Sequence, residues 1–193
     1  MREYCVEALV LGREDFGEAD SIVELYTAEF GKISAKIKSA KKITSKLSGH
    51  LEPFGLAAVR LVSRKNDAGD GRSFQIADAL RADNFPFWRK SPDDLRLGLQ
   101  ILHFIRGFVW ENQPDPDLWN FLRVSFSRAP DVSSGEGEYN RRILDILGMG
   151  GNSAPCRLCE GEAADCFAFQ SNVFLCRACL LASKLPRNEI VLL

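Results

Sequence analysis

Long apolar runs are missing from this 193-residue chain. No stretch of about 18 apolar residues occurs, which excludes a helical membrane span. The opening residues, Met1-Arg2-Glu3-Tyr4-Cys5, lack the basic-then-apolar order of a secretory leader, so export is not expected. Histidine is scarce, at two residues. No G-x-x-x-x-G-K-[ST], G-x-G-x-x-G or G-x-S-x-G pattern is present, which argues against a Walker-type phosphate cradle, a dinucleotide fold and a serine hydrolase. An excess of one charge is also missing: the formal net charge is −1, which at first sight predicts no general attraction to nucleic acid or membrane. Internal repeats and low-complexity segments are absent as well.

What is present is an ordinary globular composition, 46 % apolar and 26 % charged, in a chain long enough to bury a core. The small net charge conceals an asymmetry. Residues 1–31 hold 2 basic and 8 acidic side chains, whereas residues 32–65 hold 9 basic side chains and one acid, Glu52. The remainder is mildly acidic. The basic stretch is therefore concentrated in one region.

The first 80 residues carry strand patterns. Val6–Leu11 and Ser21–Thr27 are apolar and β-branched, and Phe30-Gly31 reads as a turn. From Lys32 to Ala40 the pattern alternates: Ile33, Ala35 and Ile37 face one way, and Lys32, Ser34, Lys36 and Lys38 the other. Leu56–Val62 and Ser73–Ala77 are further strands, joined by a polar turn over Asn66–Gly71. Five short strands in this length predict a small barrel. Near residue 91 the period changes. Ser91-Pro92-Asp93-Asp94 has the cap, proline and acids of a helix start, followed by Leu95, Leu99, Leu102, Ile105 and Val109. Asp115-Pro116 opens a second helix with Leu118, Phe121, Leu122 and Phe126 on one face. Residues Pro130–Gly137 read as a loop, and a third helix ends near Leu147-Gly148.

Six cysteines are the unusual count. Cys156-Arg-Leu-Cys159 and Cys176-Arg-Ala-Cys179 form two C-x2-C pairs with 16 residues between them. Each pair can aim two sulfurs from one tight turn, and two turns complete a tetrahedron around one structural Zn2+. Phe167–Gln170 and Val173–Leu175 supply the hairpin between them. Cys5 and Cys166 are left over and are expected in the core. An enzyme reading competes on paper. His50-Leu51-Glu52 and Pro155-Cys156-Arg157-Leu158-Cys159 together spell the zinc-deaminase pattern. More than 100 residues separate the halves, His50 lies outside any helix pattern, and Cys176 and Cys179 would have no role, so this reading is set aside. His103 reads as a packed or rim residue, and Asp93-Asp94 as helix-start charge.

The basic residues Lys32, Lys36, Lys38, Lys41, Lys42 and Lys46, with Arg60 and Arg64 on one face of a later strand, could line a groove that tracks phosphates. A solvated lysine face is the plainer alternative. No aromatic lies between residues 31 and 53. Phe16, Tyr26, Phe30 and Phe54 could stack on bases only if the fold delivers them, and each is expected in the core.

Several segments resemble a known family. Ala8-Leu-Val-Leu-Gly-Arg13, Phe16-Gly-Glu-Ala-Asp-Ser-Ile-Val23 and Leu25-Tyr-Thr-Ala-Glu-Phe-Gly-Lys32 resemble the opening of bacterial RecO proteins. Lys38-Ser-Ala-Lys-Lys-Ile-Thr-Ser45 and Leu51-Glu-Pro-Phe54 resemble the segment that follows, and the order of parts agrees. The resemblance implies an α+β protein: a five-stranded OB-fold β-barrel over residues 1–80, a helical domain over 81–152, and an inserted four-cysteine zinc module with a tail over 153–193. It implies a recombination mediator in DNA repair that binds single- and double-stranded DNA and anneals complementary strands. Its implied partners are RecR, the acidic C-terminal tail of the single-strand binding protein (SSB), RecA and, in some cases, RecF. Covalent catalysis is not implied, and the implied location is the bacterial cytoplasm, at the nucleoid. A zinc-ribbon interaction scaffold with little DNA binding is the alternative. Two departures stand out: 14 residues follow Cys179 where many RecO proteins continue, and Ser39 stands where glycine is common in the family.

Overall fold

The structure is a computed structural model that describes residues 2–38, 47–65, 72–130, 135–150, 154–161 and 163–193. It contains two compact units. One joins residues 1–89 to 110–128, and the other joins 90–109 to 129–193.

The first unit is built on a closed barrel. Its strands are β1 (Arg2–Phe16), β2 (Asp20–Thr27), β3 (Gly31–Ile37), β4 (Leu56–Lys65) and β5 (Arg72–Asp83). They close in the order β1-β2-β3-β5-β4, with β3 and β5 parallel and the other neighbours antiparallel. Alternation explains the core: Val6, Ala8, Val10, Val23, Leu25, Ile33, Ala35, Ile37, Val59 and Leu61 point inward and are buried together. Gly31 takes a φ of +65° in the β2–β3 turn, and a Cβ there would collide with the Gln113 carbonyl. β3 ends at Ile37, short of the strand expected to reach Ala40. The expected turn over 66–71 lies outside the described residues.

Helix α2 (Pro116–Phe126) belongs to this unit. Asp115 caps it by accepting from the amides of Asp117 and Leu118 at 3.0 Å. Its buried side chains are Leu118, Trp119, Leu122 and Phe126. Phe126 meets Phe54 edge-on at 4.9 Å and also contacts Phe85 and Trp88, which closes an aromatic cluster over the LEPF segment. Arg89 donates to the Phe54 carbonyl at 2.9 Å.

The second unit contains α1 (Pro92–Phe108), α3 (Gly135–Ile146), the three-stranded sheet β7-β6-β8 and the short α4 (Arg177–Ala182). The sheet strands are β6 (Cys166–Ala168), β7 (Val173–Leu175) and β8 (Ile190–Leu192). Ser91 caps α1 as expected, its Oγ accepting from the Asp94 amide at 3.1 Å. The buried face is Leu97, Ile101, Leu102, Phe104 and Ile105, while Leu99 is 43 % exposed. The apolar stripe is thus rotated from the Leu95–Leu99 face, because Phe104 and Phe108 must meet Phe167 on β6. Gly107 lets the Phe169 ring lie against the helix. Helix α3 begins at Gly135, inside the expected loop, and Gly148 follows with a φ of +74°. The helices expected over 81–152 are therefore divided between the two units.

Candidate nucleic-acid wall and metal centre

The parity of β1 decides what the barrel shows to the outside. Ala8 pairs with Thr27 and Val10 with Leu25, all facing inward. The register then shifts between Val10 and Gly12, a β-bulge at Leu11. Beyond it Arg13 pairs with Val23, Glu14 with Ile22 and Phe16 with Asp20. One extra residue reverses the faces. Phe16 would share the inward parity of Val6, Ala8 and Val10 without the bulge; with it, Phe16 stands on the outer wall, 49 % exposed.

The outer wall of β1, β2 and β3 has two halves. In one half, Leu9 pairs with Tyr26 and Tyr26 with Lys32. Trp119 stacks on Tyr26 with centroids 6.4 Å apart, and Arg123 Nε of α2 reaches Glu7 at 3.1 Å. The chain leading into α2 lies along β3: the Asn112 amide donates to the Lys32 carbonyl at 2.8 Å, and Ser34 Oγ donates to Glu111 at 2.8 Å. Lys32 is consequently only 9 % exposed and does not join an open basic face. Burial, with the charge of Asp115 adding to it, pushes the Tyr26 phenol well above its ordinary pKa.

The other half is open. Lys36 is in register with Ile22, which pairs with Glu14. Its ammonium sits 2.8 Å from Asp20 and 4.8 Å from the centre of the Phe16 ring. Lys38 follows β3 in a turn and is exposed. Lys41, Lys42 and Lys46 lie outside the described residues. Arg60 is exposed on β4 and meets Glu3 at 3.5 Å. The backbone of Arg64 pairs with Ser73 of β5. Lys36 is in register with Gln75 of β5, and Gln75 with Val62 of β4, which lies between Arg60 and Arg64. The basic positions on β3 and β4 are therefore separated by β5, about 10 Å at ordinary strand spacing.

The aromatic residues sort differently from expectation at one position. Tyr26 and Phe54 are buried, and Phe30 packs against the barrel core beside Tyr4 and Phe74. Phe16 alone of these four is half exposed. Cys5 is a second correction: it is exposed, because its odd position on β1 faces outward beside Arg60. Period-two alternation in the first half of β1 was the available signal for Cys5; for Phe16 it was Gly12, a glycine inside a strand that can mark a bulge.

In the second unit the four predicted cysteines converge. The sulfurs of Cys156, Cys159, Cys176 and Cys179 all lie within 4.8 Å of one another, and those of Cys159 and Cys176 are 3.8 Å apart. A tetrahedron with metal–sulfur bonds of about 2.3 Å has an edge of about 3.8 Å, so the set fits one tetrahedral ion. The first pair is held by the Arg157 amide donating to the Phe174 carbonyl and the Glu160 amide to the Cys156 carbonyl, at 2.8 and 2.9 Å. The second pair opens α4, where the Arg177 amide donates to Asp165 at 3.0 Å. Backbone amides of Cys176 and Cys159 lower Cys156 to about 6, which favours a thiolate there. Cys166 donates its thiol to the Leu175 carbonyl at 3.1 Å and is pushed up to about 11 by burial. It packs beside the cluster as an inert thiol, in agreement with its expected core role.

His50 and Glu52 have other partners. The Arg81 amide donates to His50 Nδ1 at 3.3 Å, and the Arg81 guanidinium meets Glu52 at 2.9 Å. His103 bonds the Asn188 carbonyl at 2.9 Å and lies edge-on to Phe169. Among the described helices, none is long and apolar enough to cross a membrane.

Comparison with known proteins shows what the chain is similar to. Residues 1–72 match the family model described as recombination protein O N terminal, which takes in β1 to β4. The chain is 26 % identical to the DNA repair protein RecO of Pelotomaculum thermopropionicum over 96 % of its own length and 72 % of the relative's. It is 27 % identical to that of Desulforamulus reducens, over 95 % and 72 % respectively. The RecO protein of Listeria welshimeri is 26 % identical over 97 % of this chain and 74 % of its own.

Proposed function

We propose that this chain is a RecO-type recombination mediator that binds single- and double-stranded DNA and anneals complementary strands during repair. The observation that carries the reading is the similarity to DNA repair proteins along nearly the whole chain, from the barrel through the cysteine cluster. The open half of the barrel wall suits the role. Lys36 and Lys38 would hold phosphates beside β3, and Lys41, Lys42, Lys46, Arg60 and Arg64 would add to the basic set. Lys32 would brace the covered half. The Lys36–Asp20 pair is partly exposed, so it is worth at most about 1 kcal/mol and exchanges readily for a phosphate. Backbone contacts leave base edges free to pair, which annealing needs.

In this reading the four cysteines hold one Zn2+. A closed four-thiolate sphere is structural and supplies no reactive position. No covalent step is assigned to the chain. Its partners would be RecR, the acidic tail of SSB, RecA and, in some settings, RecF, in the bacterial cytoplasm. The second reading is a zinc-ribbon scaffold for protein partners, favoured by Leu158 and Leu181 in the cysteine unit, which are 63 % and 78 % exposed.

The test is strand annealing with fluorescent complementary strands coated by SSB, with and without RecR. Faster annealing is expected with the chain and RecR present. No DNA binding and no acceleration would leave the scaffold.

A further inference from the structure

We infer that Phe16 is a base-stacking platform that gives this barrel a preference for single-stranded over duplex DNA. The inference rests on the DNA-binding reading above and adds a site to it. Three observations converge on this side chain. It is a large aromatic, half exposed, on a wall whose other outward aromatic, Tyr26, is buried under Trp119. It reaches the outside because the bulge at Leu11 reverses the parity of β1, and bulges of this kind commonly re-aim side chains at functional places. The Lys36 ammonium lies over one face of the ring, 4.8 Å from its centre, which leaves the opposite face for a base and puts a cation next to it.

A single strand has both groups that such a pair recognises. A nucleobase offers a π-face to Phe16, and the adjoining phosphate offers charge to Lys36. Duplex DNA offers only the phosphate, because its bases are already stacked on each other. Glu14 and Asp20 share this wall and repel phosphate. The backbone must therefore leave Phe16 toward Lys36 and Lys38, away from the β1–β2 turn. Lys36 must also exchange Asp20 for the phosphate. Asp20 thus acts as a competitor for the lysine.

The experiment measures the affinity of the full chain for a thymidine oligonucleotide and for a duplex of equal length, across a salt series. Phe16→Ala is expected to weaken single-strand binding about 5- to 100-fold. Duplex binding and the salt slope should stay unchanged, since stacking releases no counterions. Phe16→Trp should retain single-strand affinity. Asp20→Asn should tighten binding to both forms by releasing Lys36. Equal loss on both forms by Phe16→Ala, or no loss on the oligonucleotide while the unsubstituted chain binds it, would overturn the platform. Absence of all DNA binding by the unsubstituted chain would remove the DNA-binding reading itself and the platform with it.

Discussion

The barrel and the cysteine module solve the same problem with different materials. The barrel closes its ladder and buries a continuous set of aliphatic side chains from five strands. Around its cysteines the module packs a smaller cluster, Leu175 with Cys156, Cys166 and Cys176, flanked by partly buried Val173, Cys179, Leu180, Leu185 and Ile190, and it also buries Phe167, Ala168, Phe169 and Val191. Two of those buried residues are also predicted metal ligands on separate turns. Apolar burial can hold the first region by itself, whereas in the second an ion held by the four cysteines would cross-link the two turns that carry them. Each region is therefore vulnerable at a different place, the barrel at its aliphatic core and the module at its cysteines.

The largest effect is expected at the cysteines. Cys156→Ser or Cys176→Ser should remove the metal and unfold the module, since structural zinc sites in small domains supply on the order of 10 kcal/mol. Elemental analysis and circular dichroism check this: one zinc per chain is expected before substitution and none after. A folded module that carries no metal when prepared under reducing conditions would contradict the comparison.

An intermediate effect is expected in the barrel. Leu25 is fully buried and faces the centre from β2. Leu25→Ala should cost about 2–5 kcal/mol in denaturant unfolding while leaving zinc content unchanged. Loss of zinc in that variant would show that the two regions do not stand separately.

The smallest effect is expected at Glu52. Its pairing with Arg81 is largely exposed, so Glu52→Gln should change stability by no more than about 1 kcal/mol and leave annealing intact. Abolished activity in a folded Glu52→Gln protein would revive the enzyme reading.

The cysteine cluster was legible because four cysteines at fixed short spacings carry their own geometry. The barrel was legible because alternation at Ile33, Ala35 and Ile37 states which side is buried. Alternation fails where tertiary structure intervenes. Lys32 follows the outward period and is buried all the same, because residues 110–115 and α2 return from far along the chain to cover it. Phe16 has the wrong parity until a bulge inverts it, and the one local signal, Gly12 inside the strand, reads equally as a strand end. Leu99 has helical spacing, but the face of α1 is set by Phe167 and Phe169 on the sheet and its following turn. Strand β8 and helix α4 had no periodic signal at three and six residues.

The open wall of the barrel is the proposed contact with the DNA backbone. Its most direct test is the salt dependence of single-strand affinity for the chain and for a combined variant, Lys36→Glu, Lys38→Glu, Lys41→Glu and Lys42→Glu. Each lost phosphate contact removes about 0.7 from the slope of log affinity against log salt, so weaker binding and a slope flatter by about 3 are predicted. A folded variant that binds with the unchanged affinity and slope would contradict the account.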